Sequence, residues 1–273
     1  MTNNKILDNI IATTYRSLAQ RKRQKPLNEL KQEISQKSKP KDLEDCLQGE
    51  EIKLIAEIKR ASPSKGALHP DLNIIKSAQS YAQGGAAAIS VLTEPTFFLG
   101  SFADLGIVRK ATNLPILCKD FILDTYQIYE ARAYGADAIL IIAAILQQQE
   151  LKSLATLAHD LDMSALIEVH DETDIEKALD AEACLIGINN RNLADFSVNL
   201  ETTLRLRPLI PEHATVVSES GIQSAADIAR LKAAGINAIL VGEALVTSPD
   251  PVAKIKQLLG LIPVRQGNFN GKS

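Results

Sequence analysis

The stretch LIAEIKRASPSKG, residues 54–66 of the 273-residue chain, decides the fold. It begins as a strand and breaks at Pro63. Because side chains on a strand alternate between two faces, Ile55, Glu57 and Lys59 share one face, which turns from apolar to charged toward the carboxyl end. Burying an unpaired charge costs several kcal/mol, so a fold keeps such charges only with partners or for a function. The short polar loop over residues 62–66 has the composition of an anion-binding loop.

Three later segments repeat one pattern, in which a helix ends at glycine and enters an apolar strand. The segments are GAAAISV (85–91), GADAILI (135–141) and GINAILV (235–241). Their first glycines lie 50 and 100 positions apart. These spacings fit two and four units of about 25 residues, the size of one strand–helix unit. The repeat therefore predicts alternating strands and helices along the whole chain.

Eight strands are predicted in total, at residues 53–59, 87–92, 115–119, 138–142, 164–169, 185–189, 215–219 and 238–241. Amphipathic helices are predicted between and after them, at residues 73–83, 101–111, 124–134, 147–161, 171–180, 199–206, 224–234 and 250–259. Eight alternating units predict an α/β fold, a parallel (β/α)8 TIM barrel. An open doubly wound sheet is the alternative, and it is less favoured because no GxGxxG follows the first strand.

We expect one barrel domain over residues 1–273, with an N-terminal helical extension over residues 1–50 and a frayed tail over residues 264–273. Residues 4–22 form a helix with an apolar stripe, and a second short helix covers residues 42–47. Basic residues gather at the carboxyl end of the first helix, where the helix dipole favours them. We expect this basic end to be solvated, as short charge runs usually are.

Composition excludes several classes of function. No apolar run reaches the length of about 18 residues that a membrane span needs, so no membrane association is predicted. The net charge of −3 argues against general nucleic-acid binding. Cys46, Cys118 and Cys184 form no CxxC pair and are predicted to be reduced, buried thiols of a cytoplasmic protein. The four histidines have no metal-ligand spacing, so we expect no metal.

Polar side chains gather where the predicted strands end, and barrel enzymes keep their active sites there. Lys119, Glu168 and Glu219 each share a strand face with an apolar residue two positions earlier, so they form a polar layer above an apolar interior. A lysine among other cations can have a lowered pKa and act as an acid near neutral pH, with a glutamate as base. A polar strand cap explains any one of these residues but explains the set poorly. The set is Glu57, Lys59, Lys119, Glu168, Asn189, Arg191, Glu219, Ser220 and Gly242.

Small residues follow the seventh and eighth strands, where many barrels bind phosphate. Ser220 and Gly221 follow one strand, and Gly242 and Glu243 follow the other. Backbone N–H groups in such loops can face an anion, and a side chain at Gly242 would fill the phosphate position. Ordinary turn glycines are the alternative interpretation.

The motifs at these strand ends resemble those of the indole-3-glycerol phosphate synthase family. The matching segments are AEIKRASPSKG (56–66), AISVLTEPTFFLGS (88–101), LPILCKDFILDTYQIYEARAYGADAIL (114–140), ALIEVHDE (165–172), LIGINNRNL (185–193), SESGI (218–222) and LVGEAL (240–245). The resemblance implies ring closure, decarboxylation and dehydration of 1-(2-carboxyphenylamino)-1-deoxyribulose 5-phosphate in tryptophan biosynthesis. It implies no cofactor and no metal. The expected partner is this phosphorylated small molecule, and the chain is expected to be a monomer.

The resemblance also implies residue roles. Lys119 is similar to the general acid of ring closure, Glu168 to its partner acid or base in dehydration, and Lys59 to the cation that pairs with the substrate carboxylate. Glu57 and Asn189 are expected to orient these groups, completing the catalytic set. The implied substrate-binding residues are Ser62, Phe98, Phe121, Arg191, Glu219, Ser220, Gly221, Gly242 and Glu243. Phe97 competes with Phe98 as a wall for the aromatic ring.

Two other functions stay open at this point. One is another phosphosugar barrel enzyme, such as an aldolase that forms a Schiff base at Lys119. The other is a barrel without catalysis that serves as a binding partner. This second alternative is less favoured because Lys119, Glu168 and Lys59 are all present.

Overall fold

Eight parallel strands close into a barrel in the computed structural model, which describes residues 5–262. The strands are β1 (Lys53–Ile58), β2 (Ala88–Leu92), β3 (Ile116–Lys119), β4 (Ala138–Ile142), β5 (Ser164–Val169), β6 (Leu185–Asn189), β7 (Thr215–Glu219) and β8 (Ala238–Val241). Each strand pairs with its neighbours in sequence, and β1 also pairs with β8. The predicted TIM barrel is confirmed, and the open sheet is wrong because the eight strands close on one another.

Helices surround the barrel and precede it. The extension contains α1 (Lys5–Gln24), α2 (Leu27–Ile34) and α3 (Leu43–Cys46). The outer helices are α4 (Ile74–Gly84), α5 (Phe102–Ala111), α6 (Thr125–Ala133), α7 (Gln148–Asp160), α8 (Glu172–Asp180), α9 (Glu201–Leu206), α10 (Ala225–Ala233), α11 (Glu243–Val246) and α12 (Pro251–Leu258). The predicted helices all form within about two residues of their expected bounds, the usual uncertainty of helix ends. The sequence reasoning missed α2, α11 and a two-stranded hairpin of Ala61–Ser62 with Gly66–Ala67.

Successive side chains along each strand point alternately into two apolar layers, as the sequence pattern predicts. Ile55, Leu117, Leu166 and Val217 belong to one cluster, which fills the barrel interior. Leu54 and the other strand residues that point away from the barrel axis belong to a second cluster, between the strands and the helices. Parallel strands buried on both faces explain the continuous apolar runs. The polar residues at the carboxyl ends therefore stand on a closed apolar floor.

The extension covers both ends of the barrel. At the carboxyl end, Leu7 and Ile10 of α1 pack with the interior cluster. At the amino end, the Leu43 N–H donates to Ser164 Oγ at the start of β5, and Gln48 Nε2 donates to Thr215 Oγ1 at the start of β7. Leu43 is fully buried in the interior cluster, so α3 closes the amino end of the barrel.

The basic end of α1 is solvated in part: Lys22 and Arg23 are exposed, as predicted, whereas Arg21 is half-buried and packs against the barrel. Arg21 Nη1 lies 2.5 Å from Glu130 Oε2 on α6, and its guanidinium lies 4.8 Å from the centre of the Phe102 ring. Lys22 pairs with Asp124 at 2.7 Å. The acidic and aromatic side chains of α5 and α6 attract these cations, which the helix dipole alone does not explain. Charge therefore fastens the extension to the barrel.

Two of the three cysteines also differ from expectation. Cys118 on β3 is buried as predicted, while Cys46 and Cys184 are exposed. The last two lie outside the strands, at the end of α3 and immediately before β6, where the chain reaches the surface. All three are free thiols.

The described helices include none that is long and apolar enough to cross a membrane. The frayed tail predicted for residues 264–273 lies outside the described residues.

We predict that Arg21→Met destabilises the fold. The change leaves Glu130, whose side chain is 7% exposed, buried without its cation. Losing one charged hydrogen bond to a buried group should lower the free energy of unfolding by about 1–3 kcal/mol. Urea denaturation measures the effect. Lys22→Met removes an exposed pair as the matched control and should cost less than about 1 kcal/mol; equal losses in the two variants would refute the role of burial.

Candidate active site

A cavity of about 700 Å³ opens at the carboxyl ends of the strands. This volume lies within the usual range of small-molecule sites. Every residue that the sequence assigned to catalysis or substrate binding lines it. The structure thus brings together Glu57, Lys59, Ser62, Phe98, Lys119, Phe121, Glu168, Asn189, Arg191, Glu219, Ser220, Gly221, Gly242 and Glu243. Phe97 is not among the lining residues, so Phe98 has the better position beside the cavity.

Lys119 lies at the end of β3 between two carboxylates. Its Nζ is 2.5 Å from Glu219 Oε2 and 3.2 Å from Glu168 Oε2. The lysine side chain is 15% exposed, and the two carboxylates are almost fully buried. The closed barrel makes this contact possible, because β3, β5 and β7 point their interior side chains at one central space. Lys119 is therefore a buried cation held over the barrel axis.

The lowered pKa of a lysine among other cations does not apply to Lys119. Burial alone lowers the pKa, but the negative charges of Glu219 and Glu168 outweigh it and raise the pKa above its ordinary value. The nearest charged groups to Lys119 are carboxylates and not cations. Lys119 is accordingly a charged proton donor in the free protein.

The two glutamates beside Lys119 differ in charge. Burial raises the pKa of Glu219 to about 7, because the attraction of Lys119 only partly offsets the desolvation and the repulsion of Glu168. Burial also opposes ionisation of Glu168, but Lys119 and His170 together hold its pKa below the usual range. Two carboxylates share one lysine, so the one with an additional cation stays ionised. Near pH 7, Glu168 is a carboxylate and Glu219 can hold a proton.

A second ion pair stands at the end of β1. Lys59 Nζ lies 2.6 Å from Glu57 Oε1, and Glu57 is buried while the lysine reaches the cavity. Glu57 pairs in register with Ser90 of β2, which fixes its position on the barrel wall. The hairpin after β1 adds Ser62, whose buried Oγ has no hydrogen-bond partner among the described residues. The pair and this free hydroxyl face the same cavity.

Two glycines leave room for the carboxylates. A Cβ at Gly187 of β6 would lie 2.3 Å from Glu219 Oε1, and a Cβ at Gly242 would lie 2.2 Å from Glu57 Oε1. Real Cβ atoms do not approach an oxygen so closely, so any side chain there would displace the glutamate. Gly242 was expected to leave space for a phosphate, but the structure also requires it for Glu57. Gly187 was missed, although its place two residues before Asn189 puts it on the interior face.

An aromatic wall closes one side of the cavity. The rings of Phe98 and Phe121 lie 6.1 Å apart, with their planes tilted by 40°. The carboxylate of Glu94 holds the loop that carries Phe98, because it accepts the N–H groups of Thr96, Phe97 and Phe98. The wall is therefore fixed before any ligand arrives.

The loops after β7 and β8 form the opposite side. Ser220 and Gly221 both have positive φ angles, of 66° and 82°. Asn190 stabilises this turn, because its Nδ2 donates to the carbonyl oxygens of Glu219 and Ser220. Glu243 at the start of α11 pairs with Lys65 of the hairpin. The rigid turn and the first turn of α11 line the cavity together.

The sequence reasoning missed His170, which follows β5. Its Nε2 lies 3.2 Å from Glu168 Oε1 and its Nδ1 lies 3.4 Å from Asp174 Oδ2. Burial lowers the pKa of His170, but the carboxylates of Asp174 and Glu168 outweigh it and raise the pKa to about 9. A signal was present in the sequence, since His170 lies two residues after Glu168 and one residue beyond the end of β5. Among the residues described, no group of three His, Cys, Asp or Glu side chains could hold a metal ion.

The closed barrel and the buried acid–base groups at its carboxyl rim define an enzyme of the TIM-barrel class. The family model for indole-3-glycerol phosphate synthase matches residues 7–258. A protein of that name from Dehalococcoides mccartyi is 48% identical over 93% of this chain and 100% of the relative. Another from Polaromonas sp. is 45% identical over 94% of this chain and 98% of the relative. The chain belongs to the indole-3-glycerol phosphate synthase family.

Similar solved structures support the fold alone. A 3-hexulose-6-phosphate synthase aligns with a TM-score of 0.61 at 16% identity, over 78% of this chain and all of that chain. A thiamine phosphate pyrophosphorylase from Pyrococcus furiosus aligns with a TM-score of 0.56 at 17% identity, over 78% of this chain and 95% of that chain. At such identities the barrel is shared, while the residues of the site are not compared.

Glu219 predicts a pH dependence of the free energy of unfolding. Its folded-state pKa of about 7 is above the ordinary range of a glutamate. A raised folded-state pKa stabilises the fold below the unfolded-state pKa, and this contribution is lost as the pH rises through 7. Glu219→Gln does not ionise, so its stability relative to the wild type should improve by roughly 1–3 kcal/mol between pH 5 and pH 8.

Urea denaturation at the two pH values measures this difference. Glu212→Gln, at an exposed glutamate, is the matched control. A Glu219→Gln difference that is equal at pH 5 and pH 8 would contradict the prediction.

Proposed function

We propose that the chain catalyses the indole-3-glycerol phosphate synthase reaction of tryptophan biosynthesis. The substrate is then 1-(2-carboxyphenylamino)-1-deoxyribulose 5-phosphate, and the products are indole-3-glycerol phosphate, carbon dioxide and water. The observation that carries the proposal is a charged Lys119 held between two buried glutamates at the floor of the cavity, in a chain of this family. Ring closure onto a carbonyl requires such a placed proton donor.

In the first step the ring carbon that bears the carboxylate attacks the ketone carbon. The C=O double bond becomes a single bond, and its oxygen takes the proton of Lys119. Carbon dioxide then leaves, and its electron pair restores the aromatic ring. One proton is consumed per turnover, so Lys119 must be reprotonated. Glu219 supports this, because its Oε2 lies 2.5 Å from Nζ and it can hold a proton near pH 7.

In the last step the hydroxyl leaves as water and the five-membered ring becomes aromatic. The leaving oxygen takes a proton from a lysine, and a base removes the proton from the carbon beside the nitrogen. We assign the base to Glu168, since this carboxylate is ionised and its Oε2 faces Lys119. The carbon acid is strong because aromatisation drives its loss of a proton, so even a weak carboxylate base suffices.

Binding uses the other groups around the cavity. We propose that Lys59 binds the substrate carboxylate and that Glu57, 2.6 Å from the lysine, orients it. The free hydroxyl of Ser62, in the hairpin after β1, is a second group for this carboxylate. The aromatic ring lies against Phe98 and Phe121. The remaining proposed contacts are Asn189 and Arg191 at the mouth, with the phosphate near the backbone of Ser220, Gly221, Gly242 and Glu243.

The ionisation of Lys119 favours this reaction over a Schiff-base aldolase. An amine that forms an imine must be neutral, and the carboxylates around Lys119 hold it charged. Borohydride treatment with substrate, followed by intact mass, separates the two mechanisms. No adduct is expected, and an adduct on Lys119 would establish the aldolase mechanism. The direct assay is the fluorescence of the indole product, and a folded protein that forms none would overturn the proposed function.

We predict that the two lysines have different kinetic effects. Lys119 meets an oxygen that gains charge in the transition state, whereas Lys59 holds a carboxylate that is charged throughout. Lost transition-state contacts lower kcat, and lost uniform binding raises KM. Lys119→Met should therefore lower kcat by about 10²–10⁴-fold with KM nearly unchanged. Lys59→Met should raise KM as well as slow turnover. Steady-state kinetics of the two variants measure kcat and KM, and the reverse pattern would exchange the roles assigned to the two lysines.

Gly187→Ala should slow the reaction without a direct contact to substrate. The new methyl group would move Glu219 away from Lys119, and a shift of about 1 Å can cost about 10²-fold in rate. Gly106→Ala is the matched control, because the nearest heavy atom to its Cβ lies at 3.8 Å. That helix change should leave kcat unaltered. Equal kcat in wild type and a folded Gly187→Ala variant would show that the position of Glu219 does not matter.

We also propose that the monomer is active, because every residue assigned above comes from one barrel. Light scattering during size-exclusion chromatography of the active protein tests this, and activity confined to a larger species would refute it.

A further inference from the structure

We propose that His170 is a positioning residue for Glu168: its imidazolium holds one carboxylate oxygen so that the other faces Lys119 and the cavity. The inference rests on the proposed function, since it concerns the base of the last step. His170 is absent from the cavity lining, so it acts through Glu168 and touches no substrate.

Both ring nitrogens of His170 face carboxylates. His170 Nε2 faces Glu168 Oε1 at 3.2 Å, and Nδ1 faces Asp174 Oδ2 at 3.4 Å. Carboxylate oxygens only accept protons, while a neutral imidazole has one donor nitrogen and one acceptor nitrogen. A neutral ring would therefore turn a lone pair toward one carboxylate. Because both nitrogens face carboxylates at ion-pair distance, the arrangement favours the doubly protonated ring.

The contacts of the His170 ring are largely buried. The His170 side chain is 13% exposed, and the carboxylates of Glu168 and Asp174 are more deeply buried. Neither contact has the alignment of a hydrogen bond, so charge attraction supplies its strength. The backbone N–H of His170 also donates to Asp174 Oδ2 at 3.0 Å. Asp174 in the first turn of α8 thus fixes both the backbone and the ring.

The carboxylate of Glu168 lies between His170 and Lys119. Its two oxygens have separate partners, since Oε1 faces His170 and Oε2 faces Lys119 at 3.2 Å. On the neighbouring strand β6 the uncharged amide of Asn189 also favours the ionised carboxylate. The groups that face His170 are then Glu168 on its own strand and Asp174 on α8, with Lys119 beyond Glu168. Only Oε2 is left to exchange protons with a substrate.

The consequence for the reaction is an ionised base at lower pH. A cation beside a carboxylate lowers its pKa, so Glu168 stays ready to accept a proton in mild acid. Without His170, the buried carboxylate would protonate at higher pH and the last step would stop there. A purely structural histidine would instead lower the rate equally at all pH values.

The experiment compares His170→Gln, which has no ionisable group, with the wild type and with His159→Gln at an exposed histidine of α7. We expect the acid limb of the kcat profile to move up by about one pH unit in His170→Gln, so that kcat at the acid end falls about tenfold further than at pH 8. His159→Gln should follow the wild type. An unmoved acid limb in a folded His170→Gln variant would overturn the proposal.

Nuclear magnetic resonance of ring-labelled histidine in the intact wild-type protein gives a second readout, with His170→Gln spectra or sequential connectivity for assignment. We expect His170 to stay an imidazolium through pH 8, with a midpoint of about 9. A midpoint near the ordinary value of about 6.5 would overturn the proposal even if His170→Gln does not fold. Absence of indole product from the wild type would reject the proposed function instead, so the two failures are distinct.

Discussion

The burial of Lys119 against Glu168 and Glu219 is the interaction on which the rest of the site depends. Removing one partner from a buried ion pair is strongly destabilising, so the three side chains exist there only as a set. The set in turn needs three alternate strands to point at one space, which a closed parallel barrel provides. Glu219 also needs a glycine on β6 to leave its carboxylate room. The closed barrel, the glycine on β6 and the three charged side chains therefore depend on one another.

Much of this arrangement could be predicted from the sequence, because it follows from strand periodicity. Lys119 shares a strand face with Leu117, and Glu168 shares one with Leu166. This spacing alone predicts that the polar residues lie over the barrel interior. The same spacing extends to Gly187, and His170 lies one residue beyond the end of β5; reasoning from motifs overlooked both residues. A glycine or a histidine gives no signal by type alone; its meaning comes from the residue that it faces on another strand.

The errors have a common physical cause, which is contact between segments distant in the chain. Whether Lys119 has a raised or a lowered pKa depends on which charges meet it across the barrel. The basic end of α1 finds Glu130 about a hundred residues away, and no local pattern announces that pairing. Cys46 and Cys184 are exposed because of where the chain crosses the surface. Local sequence determines the helices and strands, whereas the fold of the whole chain determines which side chains meet.

The pairing of β1 with β8 has a consequence for the birth of the protein on the ribosome. Residues 53–56 find their partners at residues 238–241, so the barrel closes only when nearly all of the chain has been synthesised. Glu57 and Gly242, which meet across this seam, are among the last neighbours to come together. Contacts of such sequence separation form late and slowly, and incomplete chains expose apolar strand edges meanwhile. The nascent protein therefore has no complete pocket until strand β8 emerges.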